Sequence, residues 1–259
     1  MYNKKQLLFY ALKYKGNYDA IQNAICHNEY WTENGIHEIK HFTILDSCYP
    51  QEFLKLKSPP YVLFYEGDVS LLERRKCSII GSRIPCFYAS KFTTFAAREL
   101  AKYYVVVSGM AKGIDGIAHT AAMKEGKTIA ILGSGIRRCY PKENKHLFHE
   151  IGQTHLLLSE YPFDVEPRKE HFPFRNRLIA ALGEFLVVSQ AQKRSGTMIT
   201  VNEALDLGKE VYTIPYEIYD VNGEGCNILI EQGAELILSH EDFIVKFIDK
   251  HKKIIQYKE

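Results

Sequence analysis

The chain has 259 residues, enough for one full hydrophobic core with a small appendage. Hydrophobic residues make up 46% and charged residues 25%, which excludes disordered, collagenous and low-complexity classes. Lys and Arg number 33 against 31 Asp and Glu, so a net charge of +2 gives no bulk sign of a nucleic-acid partner.

Residues 1–45 are rich in Tyr, Lys and Asn. Leu7, Leu8, Ala11 and Leu12 keep helical spacing, as do Ile21, Ala24 and Ile25. That predicts two or three short helices, too few to form a core alone. The first twenty residues lack the apolar stretch and cleavage site of a signal peptide. No run approaches a membrane span, and the longest candidate, 178–188, is broken by Gly183 and Glu184. The chain therefore reads as cytoplasmic, with no membrane partner. Pro50, Pro59 and Pro60 mark a connection over 47–60, followed by a strand over 61–65.

From residue 77 short β-branched runs alternate with helical patterns. The runs lie at 77–80, 103–107, 128–132, 155–158, 185–188 and 211–214. Helices are predicted over 90–102, 115–124, 175–182 and 198–207. Continuous apolar runs suit strands buried on both faces, and the alternation implies right-handed βαβ units. The expected fold is a Rossmann-like, doubly wound α/β domain with a mostly parallel sheet. Three parts are expected: a short helical segment over 1–45, the core over 46–241, and a lysine-rich tail over 242–259. Six cysteines occur without a C-x-x-C pair or zinc-ligand spacing, so reduced free thiols are expected.

The carboxyl ends of the predicted strands carry glycines: Gly81-Ser82-Arg83, Ser108-Gly109 through Lys112-Gly113, Gly133-Ser134-Gly135, and Ser195-Gly196-Thr197. Ligands of open parallel sheets bind beyond these ends, and helix N-termini there favour anions. One such junction is ordinary turn chemistry; four on one edge suggest a surface for phosphate groups. No G-x-x-x-x-G-K-[ST] loop occurs, and Arg138 stands where a dinucleotide fingerprint needs its third glycine. Neither a P-loop nor a nicotinamide cofactor is expected, and no cofactor is assigned.

The densest feature is Pro167-Arg168-Lys169-Glu170-His171-Phe172-Pro173-Phe174-Arg175-Asn176-Arg177. Cations interleaved with aromatics suit a single-stranded nucleic acid; a solvated helix start with core phenylalanines is the competing reading. Arg175 and Arg177 are two apart and cannot share a helix face, so one can reach a pocket while the other braces backbone. Asp115 and His119 are four apart on one predicted helix, but lack a third metal ligand. No metal site and no catalytic nucleophile with a base is expected. The enzyme alternative is a nucleotide or nucleoside hydrolase, whose P-G-G-x-G-T-x-x-E loop is missing here. The other alternative is a protein–protein adaptor without DNA binding.

Several motifs, taken in order, resemble the DNA-processing protein A family (DprA, also called Smf). They are Gly81-Ser82-Arg83; Ser108 to Asp115 with Ala118-His119; Tyr140-Pro141 with Asn144 and Leu147; Ser159-Glu160-Tyr161-Pro162; Phe172 to Arg177; Ser195-Gly196-Thr197 with Thr200 and Ala204; and Gly225-Cys226-Asn227 with Gly233-Ala234. The resemblance covers about residues 49–237. It implies an extended Rossmann fold and a non-catalytic, homodimeric protein that binds single-stranded DNA and promotes loading of the RecA recombinase in natural transformation. It implies a positive pocket using Arg83 and a lysine before the F-P-x-R-N-R motif, here Lys169, with Arg168 as competitor. Arg175 and Arg177 line or brace that pocket on this reading, with Phe172 beside them. Gly81, Ser82 and the loop of Ser108, Gly109, Lys112 and Gly113 complete the expected DNA-binding set. Two departures stand out: Ser189-Gln190-Ala191 where many members have Val-Glu-Ala, and Tyr216 where glycine is usual.

Overall fold

The computed structural model describes residues 2–33 and 39–249. Nine strands form one sheet: β1 (His41–Thr43), β2 (Val62–Gly67), β3 (Lys76–Ile80), β4 (Val105–Ser108), β5 (Thr128–Ile131), β6 (Leu156–Ser159), β7 (Phe185–Val188), β8 (Glu210–Thr213) and β9 (Glu235–Leu236). Their order is β1-β2-β6-β5-β4-β3-β7-β8-β9. The seven strands from β6 to β9 run parallel. At the other edge β2 pairs antiparallel with β6, and β1 with β2. The expected doubly wound, mostly parallel fold is the observed one.

The helices are α1 (Lys4–Lys13), α2 (Tyr18–Cys26), α3 (Phe87–Ala101), α4 (Ile114–Ala122), α5 (Lys145–Thr154), α6 (His171–Leu182), α7 (Gly196–Asp206), α8 (Glu224–Glu231) and α9 (His240–Ile244). The part of the expected tail beyond residue 249 lies outside the described residues. Among the described residues no helix is long and apolar enough to cross a membrane.

Strand alternation decides which helix meets which face. Val105, Val107, Ile129, Ile131, Leu186 and Val188 point to one side and pack with Leu178, Ile179, Val201, Ala204 and Leu229 of α6, α7 and α8. Ile79, Val106 and Val187 point to the other side, against Ala96, Leu100, Ile114 and Ala118 of α3 and α4. Further along that side Val62, Phe64, Ala130 and Leu157 meet α1, α2 and α5. Each fully buried Leu, Ile or Val contributes roughly 1.5–3 kcal/mol, so both layers are needed to cover the sheet. The N-terminal helices begin on side-chain caps: Asn3 accepts from Gln6 N and Asn17 from Ala20 N, both at 2.9 Å. Tyr18 of α2 stacks on Tyr61 with ring centroids 5.1 Å apart and meets Phe174 of α6 at 6.0 Å.

Two boundaries differ from expectation in an instructive way. The helix predicted from Arg175 begins four residues earlier, at His171. Pro173 falls in its first turn, where a missing backbone N–H costs nothing. Tyr103 and Tyr104 were expected in a strand but precede β4, and Tyr104 packs edge-on against Phe185.

Candidate nucleic-acid interface

The loops after β3, β4 and β5 and the start of α6 converge at the carboxyl end of the sheet. They enclose a cavity of about 80 Å³ lined by Arg83, Met110, Ala111, Lys112, Gly133, Tyr140, Pro141, Phe172 and Arg175. A wide open groove of about 1120 Å³ adjoins it between α3, α4 and α5, sharing Arg83 with the cavity.

The loop after β3 locks onto the loop after β4. Gly113 has φ +74°, and a Cβ there would stand 2.3 Å from the Ser82 carbonyl oxygen. Ile114 N donates to that same carbonyl at 3.0 Å. Only glycine permits this approach and this φ. Ser82 Oγ accepts from Ile84 N at 3.1 Å, shaping the turn that projects Arg83. Arg83 is exposed, and its guanidinium lies over the Phe172 ring, 5.7 Å from the centroid.

The loop after β4 is held from below. Asn144 Nδ2 donates to the carbonyls of Met110 and Ala111 at 3.0 and 3.1 Å. Asp115, buried in the first turn of α4, accepts from Ala111 N at 3.3 Å through Oδ2. Burial pushes the Asp115 carboxyl above its ordinary range, while Arg175, Arg83 and the Ala111 N–H pull it back. His119 is fully buried, with Nε2 on the Gly109 carbonyl and Nδ1 2.6 Å from Thr128 Oγ1. A carbonyl only accepts, so Nε2 carries the proton; the Thr128 hydroxyl beside Nδ1 also lies 2.7 Å from the Val106 carbonyl, and its one hydrogen is shared between those two acceptors. Burial lowers the His119 pKa to about 4, which keeps the ring neutral near pH 7. Both ring nitrogens are occupied, so His119 braces the loop. Among the described residues no group of three or more His, Cys, Asp or Glu could hold a metal ion.

The start of α6 closes the cavity. His171 stacks on Tyr161, with centroids 4.0 Å apart, and Nδ1 lies 3.3 Å from the Gly133 carbonyl oxygen. Phe172 lies over Gly133, where a Cβ would meet its ring at 2.8 Å, and Tyr140 stands 5.4 Å from that ring. Arg175 is buried; Nη1 donates to the Ile131 carbonyl and Nε to Asn176 Oδ1 at 3.2 Å. Burial lowers the Arg175 pKa, opposed by the Asp115 charge.

Two residues further on, Arg177 is equally buried but differently partnered. It donates to Glu160 Oε2 at 2.7 Å and Oε1 at 2.6 Å, and to the carbonyls of Ser58 and Phe174. Its guanidinium also covers the Phe174 ring at 3.6 Å.

Of the residues singled out from the sequence, Arg83, Lys112, Phe172 and Arg175 line the cavity. Lys112 is exposed and pairs with Glu143 at 2.5 Å, which holds the Glu143 carboxyl below its usual range. Arg168 and Lys169 are exposed just before α6 and are not in the cavity wall. Arg177 points into its pair with Glu160, away from the lining. Ser108 is buried, with its hydroxyl donating to the Ile79 carbonyl at 2.6 Å. Gly81, Ser82, Gly109 and Gly113 shape the loops. Sequence reasoning gave no role to Tyr140, Met110 or Glu143. Tyr140 carried a usable signal, an aromatic in a Tyr-Pro pair a few residues past a glycine junction.

The profile of the DNA recombination-mediator protein A family matches residues 40–248. The chain belongs to that family. It is 43% identical over 207 residues to the DNA processing protein DprA of Streptococcus pneumoniae, covering 80% of this chain and 73% of that one. The X-ray structure of that protein superposes with a TM-score of 0.80 at 35% identity, covering 94% and 93% of the two chains. DNA processing protein A of Helicobacter pylori, whose structure was described for its single-stranded DNA binding mode, gives a TM-score of 0.75 at 35% identity. That match covers 82% of this chain and 98% of the other. As a member of this family the chain is a recombination mediator, and the hydrolase alternative falls with the membership.

Both departures from the family pattern have local structural roles. Gln190 accepts from Cys86 N at 3.0 Å, tying β7 to the start of α3. Tyr216 donates to the Ser189 carbonyl at 2.5 Å, and its backbone is held from both sides by Asn227.

Proposed function

We propose that the cavity and its rim hold single-stranded DNA, with the cavity taking a backbone phosphate. The carrying observation is the pairing of an exposed arginine and a buried one, Arg83 and Arg175, at one small cavity roofed by Phe172. Charge-assisted N–H donors suit a phosphate, and the half-buried Phe172 ring and the exposed Tyr140 ring suit bases left unstacked outside. The single-stranded DNA described for the Helicobacter pylori relative supports the same partner here. Lys112, Lys169 and Arg168 add cations around the entrance, and Arg177 holds α6 in place. In this reading the protein acts in the cytoplasm as a homodimer and promotes loading of the RecA recombinase onto strands taken up in transformation.

The test is a titration of single-stranded and double-stranded DNA at two salt concentrations, with wild-type protein and Arg83→Ala. Preference for the single strand, weakening with salt, and loss of affinity in the variant are expected. Equal affinity of variant and wild type overturns the pocket assignment. No single-strand binding at low salt favours the adaptor alternative.

A further inference from the structure

The charge around the cavity is nearly balanced, and the balance depends on a residue that does not line it. Three cations face the cavity: Arg83, Lys112 and Arg175. Glu143 sits on Lys112. The second carboxylate, Asp115, stands behind Gly109. A Cβ at Gly109 would lie 2.5 Å from Asp115 Oδ2 and 2.7 Å from both terminal nitrogens of Arg175. Asp115 and Arg175 thus converge on one gap that only a glycine leaves open. Both are buried, at 7% and 5% exposure. Among the described residues Arg175 has no direct carboxylate partner, unlike Arg177.

We propose that Asp115 is a specificity-determining residue that tunes this cavity to the singly charged phosphodiester of a strand interior, against the doubly charged phosphate of a strand end. The proposal rests on reading the cavity as a phosphate site. With Asp115 held ionised by Arg175 alongside, three cations less two carboxylates leave one positive charge in excess. A phosphodiester carries one negative charge, whereas a terminal monoester carries about −1.5 to −2 near pH 7. The second charge of a terminal phosphate would face Asp115 across Arg175 at low dielectric, where repulsion is strong.

Asp115→Asn separates charge from bracing, because an amide oxygen still accepts from Ala111 N. Anisotropy titrations compare three probes: a short oligothymidylate with a 5′-hydroxyl, the same oligomer with a 5′-phosphate, and a closed single-stranded circle. Wild-type protein should bind all three within about twofold. In Asp115→Asn the phosphorylated oligomer should gain about fivefold or more over the hydroxyl form, the effect of one screened charge a few ångströms away. Glu143→Gln, a surface change that leaves the fold alone, should shift the same ratio in the same direction by less. It carries the test if the Asp115 variant fails to fold.

A wild-type preference of severalfold for the phosphorylated end overturns the proposal. So does an equal loss for all probes in Asp115→Asn, which marks a purely structural brace, or an unchanged ratio in both variants. Those outcomes leave single-strand binding itself standing. Absence of wild-type binding to every probe ends both readings at once.

Discussion

Arg175 and Arg177 sit two residues apart on α6, are equally buried, and meet opposite surroundings. Arg177 is closed: a bidentate carboxylate, two carbonyls and an aromatic face use its donors and its charge. Arg175 is open: one carbonyl and a neighbouring amide hold it, its nearest carboxylate is offset behind Gly109, and a cavity lies in front. Burial therefore does not distinguish a fully paired cation from one that faces a cavity. What distinguishes them is whether a carboxylate already completes the charge.

The sharpest way to break that contrast is to remove each arginine in turn. Arg177→Ala leaves Glu160 buried and unpaired and should cost about 3–5 kcal/mol of stability, read by chemical denaturation. A loss below about 1 kcal/mol would mean that the pair is not structural. Arg175→Ala should destabilise less and instead weaken single-stranded DNA binding by ~2–3 kcal/mol, read by anisotropy on the folded fraction. If the two variants exchange phenotypes, the open-and-closed distinction is wrong.

His119 extends the contrast to protons. In the unfolded chain it takes up a proton near pH 6.5, but in the folded protein only near pH 4. Between those values the unfolded state binds more protons, so stability falls as acid is added. The loss should be on the order of a few kcal/mol by pH 4. Denaturation at pH 7 and pH 4.5 checks this, and His119→Gln should flatten the dependence.

Smaller effects belong to the exposed cations. Arg83→Ala should lower DNA affinity by ~1–2 kcal/mol with little change in stability, since its exposed side chain lies over the Phe172 ring. Arg168→Ala and Lys169→Ala, outside the cavity wall, should each reduce the salt slope of binding by at most about 0.7.

Much of this arrangement was legible in the sequence. Each apolar run from residue 77 onward became a strand because the sheet is covered on both faces, and buried strands need no alternation. Three of the four glycine junctions lie at the edge where the cavity opens. That Arg175 and Arg177 must part ways followed from their spacing alone. Which one would be closed did not, because Glu160 comes from the end of β6 and meets Arg177 only after folding. The antiparallel edge was also hidden: β1 is three residues long and gives no periodic signal. Asp115 was visible as a helix-start acid, but Arg175, which converges with it on the gap at Gly109, is far off in the sequence, across a glycine that says nothing of charge.

The contact of Tyr18 with Phe174 has a mechanical consequence. Phe174 lies between α2 and the guanidinium of Arg177, so one aromatic ring joins the N-terminal helices to the helix that roofs the cavity. The N-terminal helices thus share a packing boundary with the same helix that carries Phe172 and Arg175.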